Sequence, residues 1–189
     1  MKRETAHPTV KASMSDNELP GKLPGFDEPL ALLRACHTHI LDHCDLLETI
    51  VARIRDGEVD GPTREAVRKV VSYFTTNARL HHQDEEQDLF PLLIRQSLKL
   101  AELIYGLKQA HTELDTLWAA LAPELKRFPN LIEPDTFIEQ AGRFCELNRE
   151  HIRRENMEFL PLADSSLSSR QLKDIGIAMA GRRGVRYPG

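Results

Sequence analysis

Two stretches decide how this chain folds. The first is His81-His82-Gln83-Asp84-Glu85-Glu86-Gln87-Asp88-Leu89-Phe90-Pro91-Leu92, and the second, 70 residues later, is His151-Ile152-Arg153-Arg154-Glu155-Asn156-Met157-Glu158-Phe159-Leu160-Pro161-Leu162. In each, a glutamate follows the leading histidine by four positions and a proline follows it by ten. Residues four apart lie on one face of an α-helix, so each pair projects its imidazole and its carboxylate in the same direction. Chance placement predicts about 0.7 His-x3-Glu pairs in a chain of this composition, and about 0.04 that also carry the proline. The chain has three such pairs, His81/Glu85, His82/Glu86 and His151/Glu155, and the first and last carry the proline.

Outward from the first stretch, Val67, Val70, Phe74, Ala78, His81, Glu85, Leu89 and Leu92 form an apolar stripe. The stripe predicts a helix over about residues 62–96, kinked or ended near Pro91. Outward from the second, Phe137, Ala141, Phe144, Asn148, His151, Glu155, Phe159 and Leu162 predict a helix over about 135–163. Two more stripes lead into these. Leu33, His37, Ile40, Cys44, Leu47, Val51 and Ile54 predict a helix over about 29–55, broken by Gly57 and Gly61. Leu100, Ile104, Leu107, His111, Leu114, Trp118 and Leu121 predict one over about 98–121, with Pro123 and Pro129 marking its exit. A weaker helix follows over about 169–180. Val, Ile and Thr alternate nowhere at period two, so no sheet is expected. The expected fold is all-α: an antiparallel up-down four-helix bundle over 26–163, a flexible N-terminal tail over 1–25, and a C-terminal arm with a short helix over 164–189.

Composition narrows the function. The 189 residues carry a net charge of −4, and residues 26–163 hold 16 basic against 24 acidic side chains, or −8. An acidic middle argues against a nucleic-acid partner, and the Arg182, Arg183, Arg186 cluster is too short to claim one. No stretch reaches the roughly 18 apolar residues of a membrane span. The polar first 25 residues lack the apolar run of a signal peptide, and Cys36, Cys44 and Cys145 form no CxxC pair. A cytoplasmic protein with no membrane partner is the expectation, and no protein partner is indicated.

Each long stripe has one histidine near its middle: His37, His81, His111 and His151. A single histidine on an apolar stripe is ordinarily a core residue with a satisfied hydrogen bond. Four of them joined by two core-facing carboxylates are different, because a lone buried carboxylate is costly and these demand a compensating cation. The halves of the bundle repeat: Leu33-x3-His37-x2-Ile40 parallels Leu107-x3-His111-x2-Leu114, 74 residues apart. His82 with Glu86 has the right spacing but sits one residue off the stripe and reads as a flanking pair beside the site. His39 and His43 lie about 160° and 120° from the face of His37 and read as surface residues. Cys44 reads as a small buried hydrophobe, and Trp118 and Tyr105 as core and rim. Asp84, Asp88, Asp115 and Asn148 are the polar neighbours available to orient the imidazoles.

These residues resemble the hemerythrin HHE cation-binding family. The strings His81-His82-Gln83-Asp84-Glu85-Glu86 with Leu89-Phe90-Pro91, and Leu32-Leu33-Arg34-Ala35-Cys36-His37, look like its bacterial members over roughly residues 26–163. The resemblance implies two non-haem iron ions inside the bundle, with His37, His81, Glu85, His111, His151 and Glu155 as ligands. Two octahedral ions want about twelve bonds. Four imidazoles, two bridging glutamates and one oxo or hydroxo bridge supply all but about two. The open positions suit a diatomic ligand or peroxide. The oxygen carriers of the family use a fifth histidine, and no clear fifth histidine occupies a stripe position here. That departure points to reaction with oxygen or peroxide, or to sensing, rather than reversible carriage or simple storage; iron buffering is the remaining member of the leading reading.

Three other readings compete. A regulatory interaction module would use iron to stabilise the bundle for a partner to read, since metal binding is folding free energy. A structural zinc site would usually be closed, with four ligands and commonly cysteine. Ferritin-like sites take four glutamates and a Glu-x-x-His spacing, against the His-x3-Glu order and two stripe glutamates here. No nucleotide-binding loop and no Ser/His/Asp set marks a conventional enzyme.

Overall fold

A computed structural model describes residues 24–188. The expected flexible tail therefore lies outside the described residues, apart from Pro24 and Gly25. Among the described residues every regular element is helical: α1 (Pro29–Arg55), α2 (Gly61–Asp84), α3 (Phe90–Leu93), α4 (Leu98–Arg127), α5 (Pro134–Arg154), α6 (Leu160–Ser166) and α7 (Ser169–Arg182). One π-helical turn, Glu85–Leu89, joins α2 to α3, and another, Glu155–Phe159, joins α5 to α6. Helix α1 packs against α2 and α5, and α4 packs against the same two, which closes the bundle.

Local chemistry sets the helix ends. The Asp60 carboxylate accepts from Thr63 N–H at 2.8 Å and caps α2, with Pro62 in its first turn. Ser97 caps α4 through Leu100 N–H at 3.2 Å. Ser168 and Gln171 form a reciprocal capping box at the start of α7. After α1, Gly57 turns the chain at φ 74°, a conformation that favours glycine.

The two π turns are the structural meaning of the repeated prolines. Pro91 and Pro161 each lack an N–H, and each ring would press on the carbonyl four residues back in a regular helix. The widened turn relieves this: the Phe90 amide donates to Glu85 O and the Leu160 amide to Glu155 O, each five residues back. Both turns begin at the glutamate of the His-x3-Glu pair.

Helix α4 departs from the expected exit. It runs through Pro123 to Arg127, because Leu121, Ala122 and Leu125 stay buried and hold the last turns on the core. The exit comes at Phe128, whose backbone (φ −45°, ψ 129°) is pushed out of the helical region by the following Pro129.

A polar layer divides the core. On one side lie Ile40, Cys44, Leu47, Val70, Phe74, Leu121 and Phe144, and on the other Leu33, Leu89, Phe90, Ile104, Leu107, Phe159 and Leu160. Helix α7 joins the second cluster through Ile175 and Met179. It approaches so closely that a Cβ at Gly176 would strike the Phe26 carbonyl. Its end turns inward. Arg182 pairs with Asp84 and, at 2.7 Å, with Asp88, while Arg183 reaches Asp84 at 2.6 Å. The Asp84 side chain is fully buried.

Replacing both guanidinium groups (Arg182→Ala with Arg183→Ala) strands that buried carboxylate and is expected to destabilise the fold by about 3–5 kcal/mol. Denaturant unfolding measures it. Asp84→Asn is expected to cost less, because both arginines reach partly into water.

Candidate metal centre

The first turn of each π segment carries the carboxylates inward. Glu85 and Glu155 are fully buried, and His37, His81, His111 and His151 surround them, each 3% exposed or less. The residues form two overlapping groups. His37, His81, Glu85 and Glu155 converge at one end, Glu85, His111, His151 and Glu155 at the other, and within each group the ligand atoms lie within 4.8 Å of one another. Each carboxylate spans both groups. Glu155 places Oε2 3.1 Å from His37 Nε2 and Oε1 3.2 Å from His151 Nε2. Glu85 places Oε1 3.6 Å from His81 Nε2 and Oε2 3.4 Å from His111 Nε2.

The His111 and His151 Nε2 atoms meet at 3.0 Å, but the carboxylate oxygens of Glu85 and Glu155 hydrogen-bond to none of the imidazoles around them. Both oxygens of Glu85 and of Glu155, Nε2 of His37, and both nitrogens of His81 are buried without a hydrogen-bond partner. Buried polar atoms are normally paired, and each unpaired one costs free energy. Groups that converge on a point yet leave each other unsatisfied fit a cation at that point. The donor set of imidazole and carboxylate suits a first-row metal such as iron or zinc.

Electrostatics lead to the same reading. Burial raises the Glu85 carboxyl well above its ordinary range, and the neighbouring Glu155 charge adds to it. Burial also acts to raise Glu155, but His151 and His37 outweigh it and hold Glu155 ionised. The two carboxyls thus titrate as a pair in which one keeps a proton unless a cation replaces it. Burial holds His81 and His82 neutral, as metal ligation requires of an imidazole.

The imidazoles are oriented by Glu86, of the expected flanking pair, and by Asn156, which was not among the expected residues. His37 Nδ1 meets Asn156 Oδ1 at 2.8 Å, and His111 Nδ1 meets Glu86 Oε1 at 2.7 Å. Both partners directly follow a core glutamate, so the same π turn that buries Glu85 or Glu155 aims the next side chain at the facing helix. The 70-residue repeat contained this signal. Of the expected orienters, Asp84 and Asp88 go to the α7 arginines, Asn148 donates to Phe144 O at 2.9 Å, and Asp115 is exposed.

His82 stands at the flank of the site, as its place one residue off the stripe suggested. Its ring stacks on His111 at 3.9 Å between centroids, and a ring nitrogen lies within 4.8 Å of the ligand atoms of His111 and His151. A position about 100° from His81 leaves the stripe but faces α4, the second neighbour of α2. A fifth imidazole thus flanks the cluster from off the stripe. His39 is exposed, whereas His43 is half-buried and stacks on Tyr73 at 3.8 Å. The three cysteines are free thiols. Burial pushes Cys36 up to about 11, and a hydrogen bond to Cys145 together with burial raises Cys44 further, so neither has thiolate character.

The model of the hemerythrin HHE cation-binding domain matches residues 28–163. The chain belongs to that family. It is also similar to an uncharacterized protein of Haemophilus influenzae, 28% identical over 167 residues that cover 88% of this chain and 96% of the relative. The matched residues of this HHE domain contain the buried His/Glu cluster. No helix among the described residues is long and apolar enough to cross a membrane.

Loading this HHE domain with metal is expected to release protons. Its apparent affinity should fall about tenfold per pH unit of acidification for each proton displaced, as a competition titration at several pH values reads directly. Glu86→Ala and Asn156→Ala remove the groups that fix His111 and His37, and each is expected to weaken metal binding about 10- to 100-fold in the same titration.

Proposed function

We propose that this chain is a non-haem di-iron protein that binds, senses or reacts with oxygen, peroxide or nitric oxide. His37 and His81 would hold one ion, His111 and His151 the other, and Glu85 and Glu155 would be shared. The observation that supports this reading is the sharing itself: two four-residue groups have both carboxylates in common, with one oxygen of each turned to either end. A single closed site would not need two carboxylates that each face two histidine pairs.

Bound iron supplies redox chemistry and open coordination positions for a small oxygen- or nitrogen-containing ligand. The protein's part is separate. Asn156 and Glu86 fix two imidazoles, and the apolar clusters above and below keep bulk water from the carboxylates. The unsatisfied buried atoms favour a second reading, a regulatory module whose bundle is stabilised by iron. Thermal melting with and without metal separates the two, since equal melting temperatures remove the regulatory reading.

Elemental analysis after iron-replete growth is expected to give close to two irons per chain. His81→Ala and Glu155→Ala are expected to lose most of that metal, while His39→Ala, on the exposed face of α1, keeps it. One zinc per chain, or no iron, overturns the di-iron reading.

A further inference from the structure

The repeated halves of the bundle are not filled alike. On the 70- and 74-residue offsets, the gap between α2 and α4 corresponds to the gap between α5 and α1. The second gap is closed by Ile40, Cys44, Cys145 and Ile152, all 2% exposed or less. In the first, His82 stands where the other half has Ile152 and Trp118 where it has Cys44, and a cavity of about 420 Å³ opens. Phe74, Trp118, Phe144, Leu114 and Ala78 form its apolar walls. Arg79 and Asp115, both exposed, stand at its rim.

The inner end is polar. His82 lines it while reaching toward His111 and His151. Asn148 lines it too, although it is only 3% exposed. Its Nδ2 donates to the Phe144 carbonyl, and its Oδ1 accepts no hydrogen bond from the described residues. That oxygen is open to the cavity rather than sealed in the core, so it can accept a hydrogen bond from a donor bound there.

The cavity has room for a molecule far larger than a diatomic gas. One water takes about 30 Å³ of liquid, whereas cavities of about 300–1,000 Å³ hold organic ligands. We propose that this cavity is a binding site for a small aromatic molecule ending in a hydroxyl or hydroperoxyl group. The ring sits among Phe74, Trp118 and Phe144, and the polar end meets Asn148 and His82. Binding rests on the cavity's own walls and needs no metal. Its bearing on the di-iron reading is that the polar end comes to rest on the His111/His151 side of the cluster.

Trp118 is the single tryptophan of the chain, so its emission reports the cavity directly. The full-length protein is titrated with 2-phenyl-2-propanol, and with isopropylbenzene as the analogue lacking the hydroxyl. A saturable change in Trp118 emission is expected, with a dissociation constant on the order of 1 mM for so small a ligand. Ala78→Phe fills the cavity from its wall, and Thr75→Phe fills it from the exposed rim, where the core is not disturbed. Each is expected to weaken binding at least tenfold. Asn148→Leu is expected to weaken the alcohol severalfold and leave the hydrocarbon unchanged. No saturable change in the full chain, or binding that both filling variants leave intact, overturns the proposal. Equal loss of alcohol and hydrocarbon in Asn148→Leu overturns the assignment of the polar end. Iron content measured on the same samples decides the di-iron reading separately.

Discussion

Two carboxylates buried side by side in the middle of an apolar bundle are the constraint on which the rest of the structure depends. Neither Glu85 nor Glu155 touches water, and their mutual repulsion forbids both from ionising unaided. The four histidines answer that repulsion only in part, since their nitrogens approach the oxygens without making hydrogen bonds. A cation between them would remove both costs at once. It is the position of these carboxylates, more than the helix packing, that makes the centre of this HHE domain a candidate metal site rather than an ordinary core.

The helical scaffold is bent to serve that arrangement. A straight helix would carry Pro91 and Pro161 at the cost of a ring pressed against a carbonyl. Widening the helix into a π turn relieves this and also moves the following residue, so that Glu86 and Asn156 reach histidines on the facing helices. Proline, π turn, core glutamate and orienting side chain form one device, used twice. The α7 arginines brace one copy by neutralising Asp84, the residue immediately before Glu85. The other copy has no such brace among the described residues, because Arg154 stands in the place of Asp84.

Much of this was legible in the sequence because helical periodicity is a strong signal. The four stripes, the central histidines, the two glutamates and the short C-terminal helix follow from spacings of three and four, and the structure brings His37, His81, Glu85, His111, His151 and Glu155 together. What escaped was whatever depends on a second neighbour. A stripe records one face, but each bundle helix touches two others, and His82, legible only as a flank residue, belongs to the face that α2 turns to α4. Glu86 reads as half of a flanking pair, but Asn156, its counterpart 70 residues on, does not stand out, because it has no histidine four residues before it. Pro123 read as a stop because propensity is local, whereas the burial of Leu125 that overrides it is tertiary.

The duplication also shows where specificity can reside. Residues matched between the halves build the site, so they are bound by the shared requirement to surround two carboxylates. Unmatched residues are free of it. The differences gather on one side, with His82 against Ile152 and Trp118 against Cys44. Both trade a compact filler for a larger aromatic side chain. Larger side chains around an open volume, set against small ones around a filled gap, mean that the volume is not left by deficient packing. It is held open by the stacked His82 and His111 rings and by the mutual contacts of Phe74, Trp118 and Phe144. A cavity framed by such contacts against one end of the cluster makes the two halves chemically unequal.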